Sequence, residues 1–238
     1  MKRNWNKTLG VVVLSTALFT SQTAFVGAEE NTDWKINSEV SSVCEVKSIG
    51  STFIRGDIVD QLVKDENDIL EFFEVNKDYF HLTADKLELK SADIDDLGMT
   101  HYTFQPKIEN IPIDQSRVIV HVSKEGKIVA INGEFHPNAP TKLEQTIEIS
   151  SSDAREAAWD HIGINREEAD VILQISENET FESLSESSEL VVYHENGTYT
   201  LTYRVELQFI EPDPANWEIW INVENGDIVK ARNKLRYL

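Results

Sequence analysis

"ELVVYHENGTYTLTYRVELQFI", Glu189 to Ile210, is the stretch that decides the fold. Asn196-Gly197 lies at its centre, and Asn-Gly supplies the positive φ angles that a two-residue hairpin loop demands. Beyond it Tyr199, Leu201, Tyr203, Val205, Leu207 and Phe209 alternate without a break, the period of a half-buried strand. "EPDPAN" (211–216) interrupts the pattern, and "WEIWINV" (217–223) restores it with Trp217, Ile219, Ile221 and Val223 on one face. Asn225-Gly226-Asp227 is a further tight turn, and Ile228-Val229 begin a last strand. This is an antiparallel sheet joined by short turns.

Upstream, "ISSSDAREAAWDHIG" (149–163) has the signature of a helix. A serine among 150–152 can cap it, Asp153 and Glu156 lie in its first turn, and Gly163 can end it. Ala154, Ala157, Ala158 and Ile162 form the stripe to be buried, with Trp159 beside them as a core residue. Between this helix and the sheet lies an acidic, Ser-rich stretch (176–189) with no strand pattern of its own. Before the helix, "HPNAPTKLEQ" (136–145) holds two of the six prolines and reads as a linker.

Residues 84–136 repeat the arrangement. "KLELKS" alternates through Leu87 and Leu89, Asp96-Leu97-Gly98 turns the chain, and "MTHYTFQ" alternates again. Val118, Val120 and Val122 share a face, and Lys124-Glu125-Gly126 turns back into Ile128–Ile131. The spacing of Ile58, Leu62, Ile69, Phe72 and Phe73 predicts one or two helices from Asp57 to about Asn76, with the phenylalanines in the core. Residues 29–52 are polar and aperiodic, a loose lead-in. The expected fold class is α+β, two modules, each a helix packed on an antiparallel β-sheet. The expected division is a signal peptide (1–28), a lead-in with helices (29–75), a first module (76–136), a linker (137–146) and a second module with a basic tail (147–238).

The N-terminus reads as an export signal. Lys2, Arg3 and Lys7 precede an apolar run from Leu9 to Phe19, and Val26-Gly27-Ala28 offers a cleavage site, so that Glu29 becomes the mature N-terminus. A retained membrane anchor fits less well, because the apolar run is short and polar, acidic sequence follows at once. The chain carries 22 Lys+Arg against 42 Asp+Glu, a net charge of −20. Removing residues 1–28, with three Lys/Arg and no Asp/Glu, takes it to −23. Such a chain repels nucleic acid and anionic lipid, and no membrane partner is expected once the signal is gone. Cys44 is the one cysteine, so no internal disulfide forms and stability rests on packing. Val43 before it is not the small residue a lipoprotein anchor needs.

No pattern of residues in the chain matches a known catalytic or metal-binding constellation. His81, His101, His121, His136, His161 and His194 show no zinc-site spacing. His194-Glu195 could begin H-E-x-x-H, but Thr198 stands where the second histidine belongs. His101 and His121 fall in strands as ordinary sheet residues. "DIDDLG" (93–98) resembles half a calcium loop, yet Phe104 occupies the position of the bidentate glutamate. There is no G-x-S-x-G and no phosphate-binding glycine loop. No catalytic residue, metal ligand or cofactor is expected, and the chain by itself reads as a non-enzyme.

Residues 76–138 resemble the fungalysin/thermolysin propeptide motif through Gly98, Thr100, His101, Phe104, Gln105, Pro112, His121, Val122, Gly126 and Lys127. Residues 147–232 resemble a PepSY domain, through the helix, the 189–207 hairpin and "NWEIWINVENGDIVKARNKL". Together they are similar to the pro-region of thermolysin-like secreted zinc metallopeptidases. Pro106, Lys107 and Ile108 depart from the glutamine and aromatic that the family usually places after Gln105.

In that family a zinc peptidase domain follows "N-K-L"; here the sequence reaches Leu238, and no zinc ligand can be carried over. The resemblance implies a secreted, extracellular pro-region that inhibits a thermolysin-like zinc metallopeptidase and assists its folding. It acts in trans or as the separated part of a zymogen. The partner-binding residues it implies are Asn233, Lys234, Leu235, Arg236, Tyr237 and Leu238. Such a tail can lie extended in a cleft by main-chain hydrogen bonds, with Leu235, Tyr237 and Leu238 in apolar pockets and a terminal carbonyl or carboxylate near the zinc. The basic alternation Lys230, Arg232, Lys234, Arg236 can meet an acidic cleft or guard a sheet edge. Two other readings stay open: a secreted binding module with a non-protease partner, and a truncated precursor with no activity.

Overall fold

A computed structural model describes residues 34–37, 51–170, 172–176, 179–182 and 184–235. The first sheet contains β1 (Ser51–Arg55), β2 (Leu87–Ile94), β3 (Thr100–Ile108), β4 (Ile111–Pro112), β5 (Val118–Val122) and β6 (Ile128–Glu134). Its order is β1-β6-β5-β3-β2, antiparallel throughout, with β4 paired to the end of β3. Helices α1 (Glu66–Val75) and α2 (Lys77–Phe80) cover one face. Asp65 caps α1 by accepting from the Asn67 N–H at 2.9 Å. Ile69, Phe72, Phe73 and Phe80 of these helices are fully buried; the three phenylalanines meet edge to face, and Phe73 meets Phe104 in the same way.

Two parts of the N-terminal region differ from expectation. The helix begins only at Glu66: Ile58, Val59 and Val63 are buried by a non-helical segment, and Leu62 is 46% exposed. That segment is tied down by backbone bonds, Val63 N–H to Gly126 O at 2.8 Å and Asn37 N–H to Ile58 O at 2.9 Å. The lead-in contains order too. Ser51–Arg55 is a strand, and Trp34 is buried, with its carbonyl bonded to the Asn76 amide at 2.7 Å.

Gly133 makes the centre of this sheet possible. Its φ is +151°, and a Cβ there would stand 2.2 Å from the Arg117 carbonyl oxygen and 2.7 Å from Val118 Cα. No side chain fits where β5 and β6 cross so closely.

The second sheet contains β9 (Ser185–Glu195), β10 (Thr198–Phe209), β11 (Ala215–Asn222) and β12 (Ile228–Asn233), in the order β12-β11-β10-β9. β7 (Ile172–Ser176) and β8 (Glu179–Glu182) form a separate hairpin. This corrects the reading of 176–189 as strandless. β9 pairs with β10 as far back as Ser185 opposite Gln208, so β10 sets its length. Asn196 and Gly197 have φ of 53° and 82°, as the hairpin requires.

One helix, α3 (Ser151–Ile162), lies on this sheet, followed by the short α4 (Arg166–Ala169). Ser150 and Asp153 form a reciprocal capping box, and Gly163 closes α3 in the left-handed conformation. Ala154, Ala158 and Trp159 pack on Val205, Leu207, Phe209, Ile219 and Ile221, with Ala157 and Ile162 at the margin. The architecture is α+β, with helices on antiparallel sheets.

A third apolar cluster joins the two sheets within one compact unit. Ile108, Ile113, Leu143, Val192, Leu201 and Val223 are buried together in it. Ile113 forms a parallel bridge to Val192, and the Asp114 N–H donates to Val192 O at 2.9 Å. The 136–145 stretch has no helix or strand but contributes Leu143 to this cluster.

Candidate functional site

The second sheet ends on β12, whose outer edge has no strand beside it among the described residues. Of the residues singled out in the tail, Asn233, Lys234 and Leu235 are described. Arg236, Tyr237, Leu238, the Ala28-Glu29 junction and Cys44 lie outside the described residues. Asn233 is a local fastener. Its Oδ1 accepts from the Asn216 N–H at 3.2 Å and from the Leu235 N–H at 3.0 Å. The Lys234 N–H continues the ladder to Asn216 O at 2.7 Å. Leu235 leaves the sheet 40% exposed.

Alternation puts Lys230 and Arg232 on the face away from α3 and Ala231 toward the core, and the register shift opposite Trp220/Ile221 returns Ile228 to the core side. The cross-strand partners of Lys230 and Arg232 are Trp220 and Glu218 on β11. Glu218 is almost wholly buried, and a lone carboxylate there would be costly. It accepts from Arg232 Nε at 2.6 Å and from Lys234 Nζ at 3.1 Å. Burial pushes its carboxyl up, but the bonds and charges of Arg232 and Lys234 outweigh that and hold it below the usual carboxylate value. Lys230 pairs with Glu195 at 3.1 Å. The three described cations of the tail are therefore neutralised within their own sheet.

The network continues into the first module. The Arg232 guanidinium lies over the Trp220 ring, 5.3 Å from its centroid. Trp220 Nε1 donates to Asp114 Oδ2 at 2.7 Å, and Arg204 Nη1 donates to Asp114 Oδ1 at 2.6 Å. Asp114 is buried, and Arg204 is also bound by Glu189 at 2.8 Å. A cleft of about 400 Å³ opens beside this clasp, lined by Asp114, Glu134, Tyr193, His194 and Trp220.

His136 lies buried at the same junction. It bonds to Ser116 Oγ through Nε2 and to Tyr199 OH through Nδ1 at 3.2 Å, with His194 edge-on at 4.9 Å between ring centres. Burial, with His194 beside it, pushes its imidazole down to about 4. Glu134 lies 3.6 Å away, but it is half-exposed and solvent screens it.

His101 and His121 face each other across β3 and β5, Nδ1 to Nδ1 at 2.7 Å. Asp95 and Asn132 hold the outer nitrogens, at 3.0 and 2.5 Å. Asp95 also accepts from the Leu97 and Met99 N–H groups and so closes the "DIDDLG" turn by itself. Among the described residues no group of three or more His, Cys, Asp or Glu is placed to hold a metal ion. No helix among them is long and apolar enough to cross a membrane.

The sequence reading missed Asp114, Glu218 and Trp220. The available signal was the pattern of "WEIW": Glu218 and Trp220 stand opposite in phase to Trp217, Ile219 and Ile221, and so share the other face. The departure after Gln105 also has an explanation. Pro106 continues β3 opposite Leu87, and its carbonyl accepts from the Ile113 N–H at 2.8 Å. The Gln105 amide donates to Ile113 O at 2.6 Å.

Residues 85–135 match the family described as Fungalysin/Thermolysin Propeptide Motif, and residues 148–232 match Peptidase propeptide and YPEB domain. Bacillolysin of Bacillus subtilis (strain 168) is 30% identical over 170 residues, covering 71% of this chain and 31% of that protein. Extracellular elastase of Staphylococcus epidermidis is 26% identical over 213 residues, 89% of this chain and 34% of that one. The chain thus spans about a third of the length of these relatives. Among solved structures, the Bacillus megaterium YpeB C-terminal domain aligns with 78% of this chain and 77% of its own, at TM-score 0.37 and 14% identity.

Proposed function

Starting from a chain whose two matched modules belong to the propeptide families of thermolysin-like peptidases, we propose that it is a secreted, non-catalytic pro-region that inhibits a thermolysin-like zinc metallopeptidase and assists its folding. It acts in trans or as the separated part of a zymogen. In this reading residues 1–28 are an export signal, 76–136 and 147–238 are the two modules, and 137–146 connect them. N-terminal sequencing of exported protein is expected to begin at Glu29; a membrane-bound form retaining Met1 would contradict export.

The observation that carries the reading is the end of the second sheet. Among the described residues β12 is an edge strand, and Asn233 and Lys234 hold the departing chain in line with it up to an exposed Leu235. An edge with unpaired main-chain groups accepts another strand, which gives affinity without a sequence-specific pocket. The two sheets behind it, joined by a shared apolar cluster, offer a surface, and a docking patch of standard size needs roughly 800 Å² per partner. Because the described cations Lys230, Arg232 and Lys234 are already paired, contact of this stretch with the enzyme rests on main-chain bonds and apolar side chains more than on their charge.

The test is titration of the full chain into a thermolysin-like peptidase, with the yield of refolded enzyme measured alongside. Inhibition together with a gain in refolding is expected. Neither effect at micromolar chain would overturn the reading in favour of a binding module with another partner.

A further inference from the structure

Glu218 is a buried carboxylate in the middle of β11, and no apolar core needs it there. It faces two long cationic side chains from β12 and the residue just past it, Arg232 and Lys234. Both would otherwise be free surface side chains on an edge strand, since they are 47% and 37% exposed. Arg232 is fixed a second time by the Trp220 ring, which is itself pinned by Asp114 of the first module. Side chains that span three elements in this way restrict the strand that carries them.

We infer that Glu218 is a positioning residue for the tail: by gripping Arg232 and Lys234 it fixes the direction in which Lys234 and Leu235 leave the sheet. The inference rests on the pro-region reading, and it names what prepares the inhibitory segment. Without the grip, the chain past the Trp217–Asn233 pair is held, among the described residues, by the Asn233 amide and the Lys234 N–H. A strand end with exposed bonds and few buried contacts frays. An inhibitory segment that must be ordered on binding loses affinity by the cost of ordering it. Glu218 touches no enzyme atom in this account; its action passes through the two cations.

The substitution Glu218→Gln in the full chain keeps shape and removes the charge. Two readouts are measured. Amide exchange is expected to accelerate about tenfold at Lys234 and Leu235, while the β10–β11 ladder keeps its protection. The inhibition constant is expected to rise about tenfold, because Lys234 and Leu235 are no longer pre-ordered. Unchanged exchange at Lys234 would overturn the inference. Faster exchange with unchanged inhibition would overturn the positioning role. If Glu218→Gln costs the ladder its protection, Lys234→Met decides instead, since Glu218 then keeps Arg232. A wild-type chain that does not inhibit at all defeats the pro-region reading; the exchange result still decides whether Glu218 holds the strand.

Discussion

His136 shows how a single residue writes a pH dependence into the junction. Its imidazole is enclosed by Ser116, Tyr199, His194 and the half-exposed Glu134, and burial pushes it down to about 4. An unfolded chain takes up the same proton near pH ~6.5. Between those values the unfolded state binds more protons, so stability is fully present above about pH 6.5 and falls as the pH drops toward 4. The ceiling is about 3 kcal/mol at ~1.4 kcal/mol per pKa step. His194, lowered chiefly by its own burial, acts in the same direction. Glu218 and Asp95, held below their ordinary values, lose their contributions only at lower pH. The expected result for His136→Asn is a flatter dependence of unfolding free energy between pH 7 and 5, read from urea melts. A slope parallel to the wild type would show that the titration lies elsewhere. The sequence placed His136 at the start of a linker; nothing local reveals that β10 brings Tyr199 against it 63 residues later.

At the scale of elements, β5 and β6 depend on one missing side chain. Gly133→Ala would drive a methyl into the Arg117 carbonyl at a backbone conformation that L residues rarely adopt. The expected loss is about 2 kcal/mol or more, measured by thermal unfolding. A loss below about 0.5 kcal/mol, typical of surface changes, would mean the strands have room to part. Elements with strong internal pattern were legible: the Asn196-Gly197 hairpin, the α3 cap at Ser150 and the buried Ala154–Ala158 stripe all lie where periodicity put them. Elements whose order is imposed by a neighbour were not. Ser51–Arg55 is a strand because β6 offers it an edge, and "SESSE" is extended because β10 runs alongside. Ile58 and Leu62 mimic a helical face, yet backbone bonds of Ile58 O with the Asn37 N–H and of the Val63 N–H with Gly126 O hold their segment out of the helix.

For the whole molecule, the chain's charge and the tail's charge belong to different arguments. The chain's net charge of −20 acts at long range, on solubility and on encounter with a partner. The tail's described cations act within the sheet: Lys230 is paired with Glu195, and Arg232 and Lys234 with Glu218. The candidate site was therefore legible as a segment but not as a mechanism. The alternation of Lys230, Arg232 and Lys234 is plain in the sequence, whereas their neutralisation depends on a cross-strand register that includes a bulge after Trp220. The central claim is that the C-terminal segment inhibits, led by the ordered Asn233–Leu235, with the folded body supplying docking. The most direct test is the inhibition constant against a thermolysin-like peptidase for the intact chain and for a form lacking Leu235–Leu238, at low and high salt. The account predicts that the deletion weakens inhibition at least tenfold while refolding assistance persists, and that salt changes the intact chain's constant only slightly. Equal inhibition by both forms, or inhibition abolished by salt alone, would contradict it.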